Sequence, residues 1–158
     1  MAMRKLRLIP DDLLRKVSRP VVDVDARIQD LIEDMLEVMY RNEGVGLAAV
    51  QVGVLKRIVV MDVSEKRNRP IVVINPEVLH REGSQEHREA CLSVPDLSGT
   101  VERPYITIVK GLDRNGEPLQ LHCKEILSVV MNHELDHLDG ILYTDKATEF
   151  FGPDDEED

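Results

Sequence analysis

The sequence predicts an α+β fold: mainly antiparallel sheets packed around a central helix carrying His133-Glu134-Leu135-Asp136-His137, with an amphipathic helix nearer the N-terminus. Three observations predict it. Apolar residues recur at three- and four-residue spacing from Asp25 to about Arg41. β-Branched runs fill the middle of the chain, and helical spacing returns from about Lys124 to Leu138.

In chain order, Asp11-Asp12-Leu13-Leu14-Arg15 reads as a turn into a short helix. Ile28, Leu31, Ile32, Met35, Leu36 and Met39 then share one face of the first long helix, which must be buried. Glu43-Gly44-Val45-Gly46 ends it, with a glycine expected to take the left-handed conformation. Strands are predicted at Arg57 to Val63, Ile71 to Ile74, Tyr105 to Val109 and Leu119 to His122. Asp113-Arg114-Asn115-Gly116 joins the last two as a hairpin, marked by its Asn-Gly pair. In the second long helix Ile126, Leu127, Val130, His133, His137 and Leu138 lie on one side, and Gly140 stops it. Residues 1–150 are expected to form one catalytic domain, and the acidic residues 151–158 a tail without fixed structure.

The 158 residues are 42% hydrophobic, enough to bury a core without staples. Thirty acidic against twenty basic residues give a net charge of −10, which argues against nucleic acid as a directly bound substrate. No run approaches the roughly eighteen apolar residues of a membrane span. The basic Met1 to Arg7 segment lacks the apolar stretch of a secretion signal, so a cytoplasmic protein is expected. In that reducing compartment Cys91 and Cys123 are expected to stay unpaired.

Chemistry concentrates on the second helix. An H-E-x-x-H run places His133 and His137 on one face, where both can reach one metal ion, with Glu134 beside a water on that ion. A catalytic site of this kind takes three protein ligands and leaves one position open. Cys91, in Glu89-Ala90-Cys91-Leu92-Ser93-Val94-Pro95, is the outstanding third candidate, although an isolated cysteine is more often a small buried hydrophobe. Cys123 lies about three helical turns from His133 and is assigned to that structural role. Gly44-Val45-Gly46-Leu47-Ala48-Ala49-Val50-Gln51 makes a poor phosphate loop, since no lysine follows and a strand rather than a helix is expected next. Its small residues instead allow a substrate backbone to approach while Gln51 donates a hydrogen bond.

Together these three segments resemble peptide deformylase, whose pattern runs G-x-G-L-A-A-P-Q, E-G-C-L-S and Q-H-E-x-D-H in that order. The similarity extends through Ile74-Asn75-Pro76, Val101-Glu102-Arg103-Pro104 and Asp113-x-x-Gly116, to about residue 146. The resemblance implies a metal-dependent hydrolase that removes the N-formyl group from the first methionine of newly made polypeptides. Its ligands carry over to Cys91, His133 and His137. Iron(II) is the implied ion, with zinc, nickel or cobalt also accommodated. Glu134 is the implied base toward the metal's water, and Gln51 with the Leu92 N–H the implied oxyanion donors. Val45 and Gly46 are implied to hold the substrate backbone, and Val45, Val129 and Val130 to line the methionine pocket. The implied partner is the N-formylmethionyl nascent peptide, near the ribosome transiently and without direct nucleic-acid binding. Arg103 and Asp136 also match family positions, which suggests that they pair behind the helix.

Some residues depart from the family pattern. Val50 stands for proline, Ala90 for glycine and Asn132 for glutamine, while Glu125 and Ser128 replace small residues. Ala90 is strained if the backbone there has positive φ and harmless otherwise. Two alternatives stay open at this stage: another H-E-x-x-H peptidase, and a divergent deformylase-like protein with altered substrate or no activity.

Overall fold

A computed structural model describes residues 4–154. Helix α1 spans Ala26–Arg41, and the Asp25 carboxylate caps it by accepting from the Ile28 N–H at 3.1 Å. Its apolar stripe, including Leu31, Ile32, Met35 and Met39, is buried as the spacing requires. The helix does not end on a left-handed glycine. Glu43 takes that conformation, with φ 58, and Asn42 closes the last turn by donating to the Val38 carbonyl. Gly44 serves contact instead: a Cβ there would lie 2.7 Å from Leu92 Cδ1.

Strand β1 covers Gly46–Ala48, and a 3-10 turn over Ala49–Val52, closed by Gly53 at φ 88, intervenes before the expected strand. This turn packs Ala49 and Val52 into the core and leaves Gln51 facing the opposite side. Strands β2 (Ile58–Met61), β3 (Ile71–Glu82), β6 (Ile106–Leu112) and β7 (Pro118–Lys124) complete an antiparallel sheet of order β1-β2-β3-β6-β7. β3 runs well past the predicted Ile74, with register shifts on both sides of Glu77 and Val78 that bend it. The β6–β7 hairpin forms as expected, but only Gly116 takes positive φ. Asp113 Oδ1 accepts from the Asn115 and Glu117 N–H groups and shapes the turn.

A second antiparallel sheet, order β4-β5-β8, joins β4 (Gln85–Cys91), β5 (Val94–Arg103) and β8 (Glu149–Phe151). None of its strands was predicted. Phe151 pairs with Ser98, so strand pairing reaches one residue into the expected tail, of which residues 155–158 lie outside the described part.

Helix α2 spans Ile126–Leu138 and is buried on every side from Ser128 onward. It packs on the five-stranded sheet through Val130, Met131, Leu135 and Leu138 and meets the smaller sheet on its other face. Gly140, at φ 74, follows its end. The fold class expected from the sequence is therefore the one observed. Among the described residues no helix is long and apolar enough to cross a membrane.

Candidate active site

Alternation along β4 sends Glu89 and Cys91 to the same side of the strand, toward α2. There His133 and His137 stand one turn apart, and one ligand atom from each of Cys91, His133 and His137 falls within 4.8 Å of the others. Cys91 Sγ lies 3.3 Å from His137 Nε2. His133 Nδ1 lies 2.7 Å from Glu89 Oε1, which leaves its Nε2 to face the thiol. A thiolate and two imidazole nitrogens, held by a strand and a helix, fit an ion such as iron(II), zinc, nickel or cobalt.

Behind the trio a buried ion network fixes the helix against the small sheet. Arg103 on β5 donates to both Glu89 oxygens at 2.7 and 2.8 Å, and through Nη1 to Asp136 at 2.7 Å. The expected Arg103–Asp136 pair is thus present, and Glu89 is the member that sequence reasoning missed. Burial pushes the Glu89 carboxyl up, but Arg103 and His133 outweigh it and hold it at about 2. Lys146 adds an ion pair to Asp136 at 2.9 Å. Tyr143 stacks on His133 with ring centroids 5.9 Å apart and donates to the Leu97 carbonyl.

Glu134 is only 3% exposed, and its Oε1 has no protein partner. Burial pushes its carboxyl up to about 7, though the neighbouring His133 pulls the other way. His137 is fully buried, which holds it well below the usual imidazole range, and its Nδ1 also lacks a protein partner. His133 is raised: desolvation works to lower it, but Cys91, Glu134 and Glu89 prevail. Gly46 makes room for Glu134, because a Cβ there would sit 2.6 Å from Glu134 Oε2 and 2.8 Å from Val130 Cγ1.

The Gln51 amide is held at both ends. Its Oε1 accepts from the Ala48 N–H at 2.9 Å, and its Nε2 donates to Ser93 Oγ at 3.0 Å, 3.6 Å from Cys91 Sγ. These bonds aim it, so valine at position 50 does not leave it loose. Residues 7–9 strap the same two loops, with the Arg7 N–H donating to the Gln51 carbonyl and the Ile9 N–H to that of Ser93. Sequence reading missed both Ser93 and this strap.

A cleft of about 320 Å³ opens over these groups. Val45, Gly46, Gln51, Cys91, Leu92, Val129, Val130, His133 and Glu134 all line it; His137 lies behind Cys91. Glu43, His87 and Ile126 were not anticipated there. Cys123 is far from this group in role: fully buried in the core, its thiol is pushed up to about 11 by burial. Both cysteines are unpaired. Ala90 has no positive φ, so its replacement of glycine carries no strain. Asn132 and Ser128 belong to one directed chain of hydrogen bonds. Arg81 donates to Asn132, Asn132 to Thr107 Oγ1, and Ser128, 2.8 Å from that hydroxyl, to the Pro104 carbonyl.

The family model for polypeptide deformylase matches residues 3–150. This chain belongs to the peptide deformylase family. It is 49% identical over 157 residues to the peptide deformylase of Acetivibrio thermocellus, across 99% of this chain and 91% of that one. The crystal structure of the Thermotoga maritima peptide deformylase superposes with a TM-score of 0.89 at 38% identity, covering 94% of this chain and 99% of that one. A Synechococcus elongatus peptide deformylase, solved in complex with actinonin, gives 0.88 at 36% identity, covering 91% and 80%. The enzyme class implied by the sequence resemblance, peptide deformylase, stands.

Proposed function

We propose that this deformylase family member hydrolyses the formamide of N-formylmethionyl nascent peptides in the cytoplasm, with brief proximity to the ribosome. The observation that carries the reading is the Cys91-His133-His137 trio with the free carboxylate oxygen of Glu134 on the same cleft.

Cys91, His133 and His137 would hold one divalent ion, iron(II) by family resemblance. When bound, the ion supplies Lewis-acid activation of a water and of the formyl oxygen. Glu134 takes a proton from the attacking water as its oxygen bonds to the formyl carbon. It then returns that proton to the nitrogen as the C–N bond breaks, releasing formate and a free α-amino group. Gln51 Nε2 and the Leu92 N–H donate to the oxygen that becomes negative. One such donor is typically worth about 3 kcal/mol in the transition state.

The cleft supports a peptide in extended form. β1 and β4 are edge strands of separate sheets, and both line it, so a backbone lying between them meets unpaired main-chain groups. Val45 and Gly46 lie on the β1 side. Val45, Val129 and Val130 offer the apolar wall for the methionine side chain.

Formate release from formyl-Met-Ala, set against an unformylated peptide and with nickel or anaerobic iron, tests the reading. Turnover abolished in Glu134→Ala is the expected result. Tight metal binding without formate release would overturn it, as would cleavage of an internal peptide bond.

A further inference from the structure

We infer that Arg67, which does not itself line the cleft, is a positioning residue that fixes the lip on which the substrate backbone lies. The proposal rests on the deformylase reading above.

β1 is held by β2 through the pairs Gly46–Met61, Leu47–Val60 and Ala48–Val59. One rung further the Asp62 N–H still donates to the Val45 carbonyl, at 2.9 Å. In an antiparallel ladder only alternate carbonyls face the same neighbour, so after Val45 the carbonyl of Gly44 is not a rung of the β1–β2 pairing. A side chain bonds it instead, that of Arg67. Its Nη2 donates to the Gly44 carbonyl while its Nη1 donates to the carbonyl of Asp62, so one planar guanidinium ties the two chains together.

The guanidinium is itself held. It lies over the Tyr40 ring, 5.3 Å from the centroid, and Tyr40 donates to Asp62 Oδ2 at 2.6 Å. Asp62 also accepts from the Ser64 N–H, the Ser64 hydroxyl and the Arg69 N–H. Arg67 adopts φ 56, a conformation costly for a non-glycine residue, at the point where its side chain turns back to Gly44.

What this grip controls is the cleft. Gly44, Val45 and Gly46 form one wall of it, and Gly44 packs against Leu92, the proposed oxyanion donor in the turn between β4 and β5. On its other side the Gly44 N–H is bonded to the Met39 carbonyl. Losing the Arg67 bond to the Gly44 carbonyl loosens the lip at its outer end, while the hydrogen bonds that hold Cys91, His133 and Gln51 do not involve Arg67. Substrate binding suffers and the chemical step does not.

The test is steady-state hydrolysis of formyl-Met-Ala by the nickel-loaded wild type, Arg67→Met and Tyr40→Phe, with melting temperatures alongside. Arg67→Met keeps a side chain over Tyr40 and loses both donors. It should raise KM about tenfold, the scale of one hydrogen bond from a charged group, with kcat changed by less than about twofold. Peptide affinity measured in the non-hydrolysing Glu134→Ala background should fall by the same factor. Tyr40→Phe loosens the same cluster but spares the Gly44 contact, so it should lower the melting temperature and leave KM unchanged. If Arg67→Met does not fold, Arg67→Lys, with one ammonium for two carbonyls, should give an intermediate KM. An unchanged KM in the position-67 variants overturns the proposal, and so does an equal KM rise in Tyr40→Phe. An inactive wild type instead refutes the deformylase reading on which it rests.

Discussion

Glu125 precedes α2 at φ 57, ψ −127, a region that residues bearing a Cβ rarely occupy. Holding a non-glycine residue there costs about 1–3 kcal/mol. Replacing it with glycine removes that cost while keeping the main-chain bonds: its N–H to the Tyr105 carbonyl, and its carbonyl to Gln85 and to the Val129 N–H. Two terms oppose the gain. Glycine widens the unfolded ensemble by roughly 0.4–1 kcal/mol. The exposed bond from Tyr105 to Glu125 Oε1, 3.2 Å long, is lost, as is a negative charge near a helix N-terminus, together about 0.5 kcal/mol. Glu125→Gly should therefore stabilise the protein by on the order of 1 kcal/mol, or about 2–4 °C in Tm for a chain of this size. Glu125→Ala is the control, since it loses the same side-chain contacts but keeps the Cβ. Thermal and urea melts of the three proteins decide the matter. If Glu125→Gly is no more stable than Glu125→Ala, the strain assignment is wrong.

Arg103→Met should destabilise the protein by about 3–5 kcal/mol in urea melts, because Glu89 and Asp136 are left buried without their shared guanidinium. The acid limb of the stability curve should carry a contribution from Asp62. Burial pushes its carboxyl up, but Ser64, Tyr40 and Arg69 donate to it and hold it at about 2. A carboxyl lowered in the folded state stabilises fully above its unfolded value, near 4, and loses that contribution as pH falls toward 2. The loss is about 2 kcal/mol. Asp62→Asn should be less stable at neutral pH and show a shallower decline between pH 4 and 2, read by urea melts across that range.

The sequence exposed the parts of the fold whose burial is apolar and regular. α1 carries an unbroken stripe, and the β-branched runs of β2, β3 and β6 identify themselves. β4 and β5 did not, because the buried residues of this small sheet include Glu89, Cys91 and Arg103, which break the apolar alternation that marks a strand. The left-handed positions were equally hidden: Glu43 and Glu125 occupy places where a sequence argument expects glycine or no special backbone at all. Within the site, motif spacing and family resemblance singled out Cys91, His133, His137 and Glu134, which the fold brings together. Glu89 was not singled out, since its partners lie 14 and 44 residues away, although its i, i+2 relation to Cys91 was available as a signal. Val50 and Ala90, the departures that looked most consequential, prove mild, since Ala48 and Ser93 aim the Gln51 amide and Ala90 has ordinary φ.

The span of the site's contacts governs its place in time. Gln51 and Cys91 are 40 residues apart, Glu89 and His133 44, Cys91 and His137 46. Each contact closes a long loop, and long loops close at an entropic cost that short-range structure does not bear. During synthesis α1 and strands β1 to β3 can pair before α2 has been made, whereas the Cys91-His133-His137 trio cannot form until His137 has joined the chain. A growing copy of this protein thus lacks the Cys91-His133-His137 trio through most of its own elongation, and the trio comes together only when one of the last segments of the chain has joined.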